Sequence, residues 1–196
     1  MVSGQNLWFS GTLALACLTQ SMAARAEPVL AEAVPAAAAV SAASDSAPAN
    51  SCQAPVDVAG LLAQLNALRS QGQLCGSVAR PAAPPLRWEP KLARSAQGFA
   101  AELAQRGELS HVGAGGGGLR ERFKRSGYLI ARAGENLAAG QDELDEAVQV
   151  WLSSAAHCDN LMQPDFRDVG LACAVGPGAY RQYWVMHLGR SAVTFP

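Results

Sequence analysis

Three side chains far apart along the chain carry the chemistry worth testing. His111 follows Ser110, Glu135 stands between Gly134 and Asn136 in an otherwise apolar run, and His157 closes Ser153-Ser154-Ala155-Ala156-His157. Two imidazoles and a carboxylate are ligand types that zinc accepts, and fewer than four protein ligands leave coordination positions for water. The same groups can exchange protons near neutral pH. Taken singly, each histidine could equally cap a helix end or satisfy a local carbonyl, so the trio is a site only if the fold gathers it into one open cleft. His187, between Met186 and Leu188 in an apolar terminal segment, reads as structural.

Other chemistries lack their residues. Gly113 to Gly118 satisfies G-x-G-x-x-G, but it follows a helical pattern and a histidine, whereas a dinucleotide site needs a buried strand before it. It reads as a flexible loop. There is no Gly-Lys-Ser/Thr, no Gly-x-Ser-x-Gly and no His-Glu-x-x-His. Cys158 adjoins His157, yet sequence neighbours on a helix point apart and make a poor nucleophile–base pair. A net charge of -1, from 15 basic and 16 acidic residues, gives no electrostatic footprint for nucleic acid.

The positioning elements follow from periodicity. Val58, Leu61, Leu62, Leu65 and Leu68 predict a helix over 57–71, and Gly72 with Pro81, Pro84 and Pro85 then forces an extended crossing. Leu86-Arg87-Trp88 is short and packs on the core. Pro90 suits a first helical position; Leu92, Ala96, Phe99, Ala100 and Leu103 share a face, predicting a helix over 89–106 stopped by Gly107. A short basic helix is expected over 119–126 and an extended stretch over 128–133. A fourth helix, with Asp142 as its cap, buries Leu144, Ala147, Val148 and Trp151, and a further helical turn carries His157. Residues 169–175 and 180–188 predict a β-hairpin. Helices first and strands last indicate an α+β, layered domain.

The beginning of the chain reads as an export signal. An apolar core from Leu7 to Leu18 precedes Ala24-Arg25-Ala26, predicting cleavage after residue 26, although no Lys or Arg precedes the core. Residues 27–51, almost entirely small side chains and proline, read as a flexible tether, and the domain spans 52–196. No integral membrane span is expected. Export makes a secreted or periplasmic protein and puts Cys52, Cys75, Cys158 and Cys173 in an oxidising compartment. Two disulfides follow, in any of three pairings.

The order of these pieces resembles the CAP superfamily of cysteine-rich secretory, antigen-5 and pathogenesis-related-1 proteins in its shorter bacterial form. The resemblance runs from Val58 to Arg190. It rests on Leu65-Asn66-x-x-Arg69, Leu86-x-Trp88, Ser110-His111, Gly127-Tyr128, Gly134-Glu135-Asn136-Leu137, Trp151-x-x-Ser154-x-x-His157-x-x-Asn160, Phe166-x-x-Val169-Gly170 and Tyr183-Trp184. It implies a three-layer α-β-α sandwich with a central antiparallel sheet and a large cleft lined by His111, Glu135 and His157. The family's second cleft glutamate should follow Trp151, where Leu152-Ser153-Ser154 offers only serine. The resemblance also implies pairing of Cys75 with Cys158 and of Cys52 with Cys173. The expected function is a monomeric, ligand-binding cleft, for a small molecule or lipid, with zinc or another divalent cation held by His111 and His157. The alternatives are a metal-assisted hydrolase of peptide or cell-wall material, with Glu135 as base, and a purely structural interaction module.

Overall fold

The computed structural model describes residue 52 and residues 54–193, so the export signal and tether expected over 1–51 lie outside the described residues. Asp57 starts the first helix, α1 (Val58–Gln71), its Oδ1 accepting the N–H groups of Ala59 and Gly60 at 3.1 Å each. The expected crossing then contains a small hairpin, β1 (Gln73–Cys75) and β2 (Val78–Arg80), followed by the two-residue β3 (Arg87–Trp88). Pro90 opens α2 (Pro90–Arg106), and the Glu89 carboxylate accepts the Lys91 N–H at 2.9 Å. There follow α3 (Leu119–Arg125), β4 (Ile130–Ala139), α4 (Leu144–Ser153), α5 (Ala155–Met162), β5 (Asp168–Val175) and β6 (Gln182–Ser191).

The main sheet has the order β3-β5-β6-β4, with β4 and β5 antiparallel to β6 and the short β3 added in parallel to β5. Alternation along the strands sorts the core into two layers. Tyr183, Val185, Leu137 and Ala172 pack on Ala96, Phe99, Ala100 and Leu103 of α2. Trp184, Met186, Leu188 and Leu171 turn the other way, against α1, α4 and α5. That is the α-β-α sandwich the sequence implies. Cys75 bridges Cys158 and Cys52 bridges Cys173, with Cα atoms 5.3 and 5.1 Å apart, within the reach of a disulfide.

Two local expectations need correction. Asp142 does not cap α4: its Oδ1 accepts from Gln182 Nε2 at 2.6 Å, while its own N–H goes to the Glu146 carboxylate at 2.9 Å. Glu146, in the first turn, reaches back to the Asp142 backbone N–H, and Glu143, the residue before the helix, makes no side-chain cap bond. The extended segment also does not stop at residue 133. It runs on as β4 to Ala139, because residues 132–139 pair continuously with β6.

Candidate functional site

The site forms on β4, the strand at one edge of the main sheet. Glu135 pairs in register with His187 of β6, so both side chains leave the sheet on the side of α2 and α3. Asn136, the next residue, points the opposite way, toward α5. Gly134 makes the close approach possible, since a Cβ there would stand 2.7 Å from the Phe166 ring.

Glu135 is nearly buried and both its oxygens are taken. Oε1 accepts from His111 Nδ1 at 2.7 Å; Oε2 accepts from Arg122 Nη2 at 2.7 Å and from His187 Nε2 at 2.8 Å. An ionised carboxylate only accepts, so each facing ring nitrogen carries the proton. Arg122, 4% exposed, also donates to the carbonyls of His111 and Gly117, at 3.1 Å each, and stacks its guanidinium 3.5 Å over the Phe99 ring. It thereby ties the glycine loop and the His111 backbone to the carboxylate. The His111 side chain itself is 60% exposed. Its Nδ1 is fixed by Glu135, which leaves Nε2 as the outward nitrogen.

His157 arrives from the other side of β4, on α5. Its carbonyl accepts from Asn136 Nδ2 at 3.0 Å, and Asn160 Nδ2 bridges to Asn136 Oδ1 at 2.9 Å and to the Glu135 carbonyl at 3.2 Å. This amide ladder fixes α5 against the edge strand. The Cys75–Cys158 disulfide secures the same helix one residue further on. His157 Nδ1 is buried and has no hydrogen-bond partner among the described residues.

Burial alone would raise the Glu135 carboxyl, but the hydrogen bonds from His111 and His187, together with the charges of His187 and Arg122 in the acid range where the carboxyl titrates, hold it down to about 2. Burial lowers His187 more than the adjoining carboxylate raises it, so His187 is neutral at neutral pH and donates one N–H. Its Nδ1 makes no full hydrogen bond among the described residues, although the Leu92 backbone beside the ring favours the protonated form. His157 is lowered too, by burial first and then by the charge of nearby His111. His111 and Glu135 are thus in direct contact, whereas His157 is a neighbour that makes no bond to Glu135.

Among the described residues no three His, Cys, Asp or Glu side chains converge to hold a metal ion. Glu135 in particular has no free oxygen to offer. Ser153, near the place of the family's second glutamate, hydrogen-bonds the Val150 carbonyl at 2.8 Å. A cavity of about 250 Å³ beside the Cys52–Cys173 disulfide, lined by Val56, Leu144 and Trp184 among others, includes none of His111, Glu135 and His157.

Sequence reasoning missed Arg122 and assigned His187 a structural role alone. Arg122 lies in a run of basic residues, which reads as a solvated face. Its one distinguishing signal is the i+3, i+4 spacing that puts Leu119, Arg122 and Phe123 on one side of α3.

Against known proteins, the cysteine-rich secretory protein family, CAP, matches residues 62–188. The uncharacterized protein YkwD of Bacillus subtilis strain 168 is 26% identical over 101 residues, covering 52% of this chain and 39% of that protein. The uncharacterized membrane protein YlbC of the same organism is 28% identical over 102 residues, covering 52% and 28%. The match therefore spans well under half the length of either relative. Among solved structures, an extracellular SCP-domain protein from Bacillus anthracis superposes with a TM-score of 0.53 at 26% identity, over 68% of this chain and 41% of that one. An outer surface protein from Borrelia burgdorferi gives 0.57 at 21% identity, over 68% and 91%, and shows the shared fold.

Proposed function

The chain belongs to the CAP, or cysteine-rich secretory protein, family, and from that premise we propose that it is an exported binding module whose edge-strand cleft presents His111 and His157 to a small polar ligand. Export is supported by two disulfides, which persist in oxidising compartments. The extracellular and outer-surface names of the two structural relatives agree with it. No helix among the described residues is long and apolar enough to cross a membrane. The medium or the periplasm is the proposed destination.

One observation carries the binding reading: Glu135 is buried, and three donors engage both of its oxygens. A carboxylate held down to about 2 is a weak base. That counts against a hydrolase in which Glu135 takes the proton from water. The same carboxylate is well placed to orient an imidazole, with Nδ1–H held and Nε2 aimed outward, which is how carboxylates set histidines that bind metals. The residues present do not make a three-ligand catalytic zinc centre. The site proposed in its place is two imidazoles, His111 Nε2 with His157, completed by water, where a divalent cation would supply one positive charge centre for an anionic or carbonyl ligand. Neutral His157 is the form such a site requires.

Zinc titration of the full chain, followed by ¹⁵N resonances of the imidazole rings, tests the reading. Saturable shifts at His111 Nε2 and at His157, with His187 unmoved, are expected. Shifts at neither ring would remove the proposed site.

A further inference from the structure

We propose that the groove between α2 and α3, on the outer side of Arg122, is a second binding site that takes an oxyanion group, the phosphate or carboxylate of a small ligand. The groove encloses about 380 Å³ and is lined by Arg94, Ser95, Gly98, Glu102, Arg122 and Arg125 among others. Three guanidinium groups meet one carboxylate. That carboxylate is already compensated, since Glu102 Oε1 accepts from Arg106 Nη1 at 3.1 Å and from the Ala114 N–H at 2.6 Å. Neither Arg94 nor Arg125 forms an ion pair among the described residues.

Two buried donors stand in the same wall without partners. Among the described residues Ser95, 7% exposed, has no hydrogen bond at Oγ, and Arg122, 4% exposed, has none at Nε. The other two nitrogens of Arg122 are committed to Glu135, His111 and Gly117, so Nε is its spare donor. A hydroxyl and a guanidinium N–H left unpaired are costly against an apolar surface and favourable against an anion. Guanidinium groups suit planar or tetrahedral oxyanions because their N–H groups form a fixed fork. The groove also has room, because a Cβ built on Gly98 would meet nothing within 4 Å. This site goes beyond the His111 cleft and shares only Arg122 with it.

The test titrates the full chain with inorganic phosphate and, separately, with acetate. Ionic strength is held constant with chloride, and the Arg122 Nε–H and Ser95 resonances are followed. Saturable shifts are expected with at least one anion. Phosphate alone would identify a phosphoryl ligand, and acetate alone a carboxylate. In the Arg94→Gln, Arg125→Gln double variant, whose changes are on exposed side chains and leave the core intact, the apparent affinity should fall about tenfold or more. The His111–Glu135 contact should be unchanged. Shifts no different from those in chloride, or full affinity in the double variant, would overturn the proposal.

Discussion

Replacing Glu135 by glutamine separates an organising carboxylate from a spectator. Glutamine keeps the shape but removes the charge and turns one acceptor oxygen into a donor. That NH₂ would face either the His111 donor or those of Arg122 and His187, according to which oxygen it replaces, while Arg122, 4% exposed, is left a buried cation without its anion. The carboxyl lies at about 2 against an ordinary 4.5, and at 1.36 kcal/mol per pH unit this is roughly 3 kcal/mol of stability. Breaking a buried pair from one side costs about 3–5 kcal/mol. The two figures describe one interaction and are not added. Because the folded value is depressed, this stability is fully present above the unfolded value, near 4.5, and is lost as pH falls through about 2. Urea unfolding of both proteins, disulfides intact, should give a gap of about 3 kcal/mol near neutral pH that closes steadily between about pH 4.5 and 2. A gap below about 1 kcal/mol at neutral pH, or one that stays constant across that window, would refute the reasoning.

Other consequences follow from the same contacts. His187→Phe keeps a ring against Phe123, 4.9 Å away, but removes the bond to Glu135; a loss of about 1.5–3 kcal/mol is expected in urea unfolding, with the Glu135 carboxyl titrating higher. His157 and His187 are both lowered in the folded protein, so they should destabilise it as pH falls below the unfolded value of about 6.5, an effect visible in Tm against pH. Arg69, 1% exposed, donates to the carbonyls of Pro84, Leu161, Gln163 and Phe166. Arg69→Leu leaves these carbonyls short of donors and should cost about 3 kcal/mol or more by the same unfolding measurement. The Cys75→Ala, Cys158→Ala variant opens a loop of sequence separation 83 and should lose about 4 kcal/mol. Hydrogen exchange in that variant should rise first in α5, around His157, while β5 and β6 stay protected.

The helices were legible because burial and periodicity agree. The predicted face Leu92, Ala96, Phe99, Ala100, Leu103 is the buried stripe of α2, and the terminal hairpin appears, although its second strand starts at Gln182 and not at Tyr180, which lengthens the turn to residues 176–181. The contact of His111 with Glu135 joins two residues that spacing alone leaves open. His187 was not legible as a member of the same cluster because its role depends on strand register. Only once Glu135 stands opposite His187 does a residue of an apolar terminal strand become a donor to the carboxylate. Arg122 failed for the opposite reason: a charge on a basic helix gives no sign that it is buried until its anion is found on another element. Gly170 illustrates a third kind of hidden constraint, since a Cβ there would lie 2.1 Å from the Ala93 backbone nitrogen. A motif glycine says that something comes close, but not what.

The central claim is that Glu135 is an ionised acceptor that fixes the tautomers of two histidines. Long-range ¹H–¹⁵N spectra of the imidazole rings at neutral pH test it most directly. The account predicts that His111 carries its proton on Nδ1 with Nε2 free to bind, and that neutral His187 carries its proton on Nε2. His111 protonated on Nε2 alone, or His187 on Nδ1 alone, would contradict it.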